Sequence, residues 1–261
     1  MKSLSIAATG MLAQQTNVDV IANNIANMNT TGYKRFRPEF QDLLYQNLRR
    51  VGAESSDAGT IVPNGVQIGV GVKTASVYRI TQQGNLISTG NTLDIAIQGT
   101  GYFQVLQPSG TNAFTRAGSF QLSAQGQIVT VDGFTVSPGI TIPTDAVDVT
   151  INANGTVQAK IDGQVTPQTV GTLDLVSFAN GAGLESIGGN LLLETPSSGA
   201  PTVSSPGSPG FGFLQQGFIE TSNVDAVTEI TALIAAQRAY EMNSKVITTA
   251  DEMMRTASQL R

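Results

Sequence analysis

LSIAATGMLAQQTNVDVIANNIANM, residues 4–28, carries an apolar side chain every seventh residue, at Leu4, Met11, Val18 and Ile25. Ala7, Ile21 and Met28 fall three places further along each repeat, with Gln14 as the polar exception. This is the a/d spacing of a coiled-coil seam. It predicts a helix over residues 3–29, about 40 Å long at 1.5 Å per residue. The stop signal is Asn29-Thr30-Thr31-Gly32, in which glycine supplies the left-handed turn.

A second helical pattern closes the chain, SNVDAVTEITALIAAQRAYEMNSKVITTADEMMRTASQL (222–260). Ser222 or Asn223 is the expected N-cap, with Asp225 and Glu229 in the early turns. One stripe runs through Ile230, Leu233, Gln237, Tyr240, Ser244, Ile247 and Met254. Another runs through Ala239, Asn243, Val246, Ala250, Met253, Ala257 and Leu260. Two adjacent stripes let one helix meet more than one neighbour. A seam with so many alanines returns little burial for ordering so long a helix. These ends are therefore expected to be stable when packed among copies. Asn17, Asn23, Asn24, Asn27 and Asn29 crowd the first helix. Exposed polar surface accounts for them, and so do amide contacts between subunits, for which Asn23, Asn24 and Asn27 are the candidates.

Between the helices the chain changes character. Of its 28 glycines, 26 fall between Gly52 and Gly217, as do nine of its ten prolines. Short alternating runs such as 72–80, 92–97, 101–106, 126–131, 147–151 and 172–178 predict strands of an antiparallel barrel or sandwich. The whole is thus expected to be α+β, with long terminal helices in a coiled-coil-like module and a central, mainly antiparallel β domain. The boundaries follow from composition. Residues 1–33 and 218–261 form the helical assembly module, 34–70 an extended connector, 71–194 the β domain, and 195–217 a Pro/Ser/Gly-rich linker.

Composition narrows the function. The chain has no Cys, His or Trp, which removes thiol catalysis, the Ser-His-Asp triad and most zinc sites. Fourteen basic against 19 acidic residues argue against tracking a phosphate backbone. Gly65, Gly69 and Gly71 precede no helix pattern, so a dinucleotide loop is not expected. Asp94, Asp132 and Asp145 read as turn residues. No catalytic, cofactor or metal site is expected. The start of the chain loosely imitates a signal peptide, but its heptad runs through any cleavage point.

The strings ANNIANMNTTGYKR (22–35) and SNVDAVTEITALIAAQRAYEMNSKVI (222–247) resemble the terminal signatures of bacterial flagellar rod and hook proteins. GNLISTGNTLDIAIQGTGYFQV (84–105) and FTRAGSFQLSAQGQIVTVDGFTV (114–136) are similar to that family's central strands. Residues 45–72 resemble an insertion typical of the members that build the distal rod, and would include Arg50, Gly52, Ser55, Ser56, Pro63 and Gly65. Within it, residues 49–65 read equally as a disordered loop from their irregular, polar composition. The resemblance implies a non-enzymatic subunit of a helical homopolymer in the basal body, within the periplasm, exported by the flagellar type III apparatus without a cleaved signal. It implies contacts with proximal rod proteins, hook protein and the L and P rings. Leu4, Met11, Val18, Ile25, Ile230, Leu233, Tyr240, Ile247, Met254 and Leu260 would carry helix packing. A proximal rod or hook subunit is the alternative within the family. An extracellular carbohydrate-binding protein or enzyme is the alternative outside it.

Overall fold

The computed structural model describes residues 2–49, 64–164 and 166–259. Leu260 and, from the insertion, Arg50, Gly52, Ser55, Ser56 and Pro63 lie outside the described residues. The architecture is α+β, with α1 (Lys2–Ala26) and α2 (Ala226–Gln259) at the two ends and short strands between.

The chain divides into two compact units. The first comprises Met1–Ile25, Phe36–Tyr78 and Ala226–Arg261. It holds both helices, a sheet pairing Phe36–Asp42 with Val72–Arg79, and an antiparallel ribbon pairing Tyr45–Arg49 with Val66–Gly69. The second comprises Ala26–Arg35 and Arg79–Asp225. Its largest sheet has seven strands, in the order Glu185–Gly188, Leu191–Leu193, Asn112–Thr115, Phe103–Leu106, Thr135–Val136, Ile128–Val129 and Gln121–Leu122. A three-stranded sheet, Ala146–Ile151, Thr156–Ile161 and Gln168–Thr172, and three strand pairs complete it. The pairings within these sheets are antiparallel.

The core of the β unit gathers Ile95, Ile97, Phe103, Phe120, Ile128, Val136, Val157, Leu173 and Leu175. Alternation supplies the pattern: Phe103 and Val105 are buried while Gln104 between them is only partly covered. Phe103 and Phe120 meet edge to face with centroids 5.0 Å apart, the preferred geometry for aromatic pairs.

The structure departs from the sequence reading in three places. α1 ends at Ala26, three residues before its expected end. Thr30 donates from its hydroxyl to Asn27 Oδ1 and from its amide to the Asn27 carbonyl, a local turn that competes with the helix. Asn223 does not cap α2: it accepts from the Arg35 amide and donates to the Ile80 and Gln82 carbonyls. Residues 195–217 are not a free linker. Thr202–Ser204 pairs with Leu175–Ser177, Phe213–Gln216 pairs with Ile95–Gln98, and Ser198 and Leu214 are buried. A Pro/Ser/Gly composition suits tight turns between short strands as well as it suits a linker.

Gly32 has φ +69, and a Cβ there would lie 2.7 Å from the Ala117 amide nitrogen. Both the left-handed turn and the close approach require glycine. Gly32→Ala should destabilise the β unit by about 1–3 kcal/mol, read as a lower midpoint in urea. An unchanged midpoint would mean the turn is rebuilt without strain.

Candidate assembly interface

The two helices of the first unit run antiparallel. Asn24 Nδ2 donates to Glu229 Oε2 at 3.2 Å. A Cβ on Gly10 would touch Asn243 Nδ2 at 3.0 Å, and Ser3 shares a groove with Ala250. Ala7, Ala13 and Ile21 of α1 and Glu229, Ala236 and Ala250 of α2 are buried. Small side chains thus dominate the contact, which lets the helices approach closely. Asn24 ties this contact to the strand that follows: it donates to the Phe36 carbonyl and accepts from the Phe36 amide, both at 2.9 Å. One amide therefore locks α1, α2 and the strand Phe36–Asp42.

The heptad residues Leu4, Met11, Val18 and Ile25 are half-buried, and Leu4, Met11 and Ile25 each follow a residue that meets α2, Ser3, Gly10 and Asn24. On α2, Leu233, Ile247 and Met254 are half-buried, whereas Ile230 and Tyr240 are exposed. The outward face of α2 carries Val246 and Met253 of the second sequence stripe together with Val227, Ile234 and Met242, which neither stripe includes. Val227 is 74% exposed and Met242 64%, with Ile234, Val246 and Met253 also open to solvent. Helices whose large apolar residues face water are characteristic of surfaces that meet another chain. Of the asparagines proposed for contacts between subunits, Asn23 is exposed, Asn27 takes part in the turn after α1, and Asn24 is buried inside the chain.

The ribbon Tyr45–Arg49/Val66–Gly69 is a second open surface. Every residue of Tyr45–Arg49 is exposed, and Leu44, Tyr45, Leu48, Val66 and Ile68 present apolar side chains. Gly65, half-buried, precedes its second strand. Gly71 (φ +124) lets the chain pass α1, since a Cβ there would lie 2.1 Å from Thr9 Oγ1.

The β unit contains a buried ionic cluster that the sequence reading missed. Glu220, 1% exposed, accepts from Lys34 Nζ and Arg116 Nε, each at 2.5 Å, and from the Gly84 amide at 2.8 Å. Its backbone carbonyl accepts from the Gly32 amide. Arg116 also donates to the carbonyls of Ile97, Gly99 and Gly101. Burial alone would raise the Glu220 carboxyl, but the Arg116 and Lys34 charges and their hydrogen bonds hold it below the ordinary carboxylate range. Burial lowers Lys34 in turn, more than the shared carboxylate restores it. We assign the cluster as ionised at neutral pH, because Glu220 receives charged donors from both cations. Arg116 and Glu220 stand out in the sequence as charged residues in weakly charged segments, whereas Lys34 sits in the charged run Lys34, Arg35, Arg37 and Glu39. Nothing local pairs positions 34, 116 and 220.

Asp94 accepts from Thr89 and Asn91 within its own turn, as expected of a turn residue. Among the described residues, no group of acidic side chains is arranged to hold a metal ion. No helix among the described residues is long and apolar enough to cross a membrane.

Terminal helices paired around a strand-rich middle define a class of protein, and three family models match in chain order. They are "Flagella basal body rod protein" over residues 4–34, "Flagellar hook protein FlgE/F/G D1 domain" over 96–159, and "Flagellar basal body rod FlgEFG protein C-terminal" over 215–260. The chain is 63% identical over 261 residues to the flagellar basal-body rod protein FlgG of Caulobacter vibrioides, covering 100% of both chains. It is 56% identical to the FlgG protein of Agrobacterium fabrum, covering 99% of each, and 42% identical to that of Bacillus subtilis, covering 100% of this chain and 99% of the relative. The chain belongs to the FlgG family of flagellar basal-body rod proteins.

Removing the Glu220 charge leaves two buried cations unbalanced. Glu220→Gln should cost about 3–5 kcal/mol at neutral pH. A carboxyl depressed on folding adds stability above its ordinary value of 4.5 and loses it as pH falls through the lower folded value. The native protein should therefore weaken in acid more steeply than Glu220→Gln, in urea unfolding followed from neutral to acidic pH. Parallel curves would remove Glu220 as the group responsible.

Proposed function

We infer that this chain is a structural subunit of the distal rod of the flagellum, polymerising into a rigid helical tube that carries torque from motor to hook. The observation that carries this reading is the apolar face of α2, exposed in a single chain, together with full-length similarity to flagellar rod proteins. Its partners are further copies of itself, forming a coiled-coil-like inner layer through the half-buried residues Leu4, Met11, Val18, Ile25, Leu233, Ile247 and Met254 and the exposed Ile230 and Tyr240. Leu260 falls on the adjacent stripe of α2 by its sequence register and adds to the same layer. An interface repeated head to tail without closing generates a filament, and many weak contacts then share the load. The exposed ribbon and the insertion following Arg49 reach neighbouring subunits and stiffen the shaft. The subunit works in the basal body within the periplasm, arrives through the flagellar type III apparatus, and meets proximal rod proteins, hook protein and the L and P rings. It performs no catalysis.

Antibody against residues 70–215, applied to hook–basal bodies stripped of their rings, should label the rod just below the hook. Label confined to the hook or to the membrane-proximal rod would move the subunit elsewhere in the shaft. The double variant Ile230→Glu and Ile234→Glu should leave the β unit folded, by circular dichroism, yet abolish incorporation into rods. Normal rods from this variant would show that the exposed face of α2 is not the contact. Deletion of residues 50–65 should preserve export and yield a more flexible shaft, seen as bent rods in electron micrographs. Straight rods would assign that stretch no stiffening role.

A further inference from the structure

The β unit carries a cleft of about 210 Å³ whose lining includes Lys34 and Arg116. Glu220, the carboxylate these two cations share, is not part of the lining. The lining therefore includes two cationic residues and not the carboxylate they share. Donor arithmetic points the same way. An ammonium has three N–H donors and a guanidinium five. Lys34 spends two, on Glu220 and the Gln82 carbonyl at 2.9 Å. Arg116 spends four, on Glu220 and the carbonyls of Gly101, Ile97 and Gly99. Each cation thus keeps one donor, although both are more than nine-tenths buried.

The remaining wall is matched to these donors. Three hydroxyl-bearing residues, Tyr102, Thr81 and Ser177, line the same cleft. Phe178 and Ala179 supply apolar surface at the same opening. Gly181 borders it so closely that a Cβ there would lie 3.0 Å from the Tyr102 oxygen. The two cations of the lining, Lys34 and Arg116, exceed the one carboxylate they share by a single positive charge, which a monoanion balances. An apolar wall beside the charged floor suits an anion that carries carbon.

We propose that this cleft is a binding site for a single carboxylate, held by the spare donors of Lys34 and Arg116 and by the Tyr102 hydroxyl. The site stands on the geometry of the β unit alone and does not depend on the rod reading. A carboxylate reaches it either as a small free acid or as an Asp or Glu side chain of another protein, and one titration separates the two.

The full-length chain, labelled with nitrogen-15, is titrated with sodium acetate and separately with N-acetyl-glutamate methylamide, against sodium chloride at matched ionic strength. Saturable shifts are expected at the amides of Gly99, Gly101, Tyr102 and Gly181. Tyr102→Phe keeps the ring against Phe178, 6.0 Å between centroids, and should weaken binding about tenfold. Lys34→Met should abolish it, and where that variant fails to fold, Tyr102→Phe decides alone. Tighter binding of the capped glutamate would support the site and assign it to a protein side chain. Equal or tighter binding of acetate would support it and assign it to free acids. No saturable shift with either probe, or affinity unchanged in Tyr102→Phe, would overturn the proposal.

Discussion

The carboxylate of Glu220 holds together pieces of chain that have no covalent reason to meet. Lys34 comes from the segment that leaves α1, Gly84 and Arg116 from the strand-rich middle, and Glu220 itself from the last strand before α2. Segment 26–35 is joined at both ends to residues of the helical unit, yet it belongs to the β unit. The contacts that place it there are those of Lys34 with Glu220, of Gly32 with the Glu220 carbonyl, and of Arg35 with Asn223. A buried ion pair is a poor source of net stability, because desolvation offsets most of the attraction. Its use here is positional. A carboxylate with two fixed cations admits one arrangement, where an apolar contact would accept several.

Asn24 plays a comparable part in the helical unit. Its amide satisfies both polar groups of Phe36 and donates to Glu229, a carboxylate fully buried on α2. Each interaction is modest, about 1 kcal/mol for a neutral hydrogen bond. The cost of breaking them is larger, since buried polar atoms would be stranded. Both units therefore use buried polar groups to fix register and leave large apolar side chains facing outward. That division suits a subunit whose own fold must be specified before its neighbours arrive.

Much of this was legible from the residues. The heptad of Leu4, Met11, Val18 and Ile25 predicts a helix, and the structure has one over Lys2–Ala26. The run 72–80 predicts a strand, found at Val72–Arg79. Gly32 was identifiable as a left-handed position and has φ +69. Periodicity reports which side chains share a face, because 3.6 and 2.0 residues per repeat are properties of the local backbone. It does not report which face meets which partner. The buried contact between the helices falls on Gly10, Asn24, Glu229, Asn243 and Ala250, whereas hydropathy favours the larger residues beside them.

What the sequence alone determined is the class of fold and the kinship: helical ends without proline, a glycine-rich middle, and strings specific enough to name a family. Those are local and compositional properties, set by backbone propensity and by the order of motifs along one chain. Only the tertiary structure decided that residues 195–217 contribute the strands Thr202–Ser204 and Phe213–Gln216 to the β unit, that Asn223 bridges loops and does not cap α2, and that Lys34, Arg116 and Glu220 form one buried cluster. The physical reason is distance along the chain. Charges at positions 34, 116 and 220 acquire their meaning from a meeting that no local pattern encodes, and burial then makes that meeting obligatory.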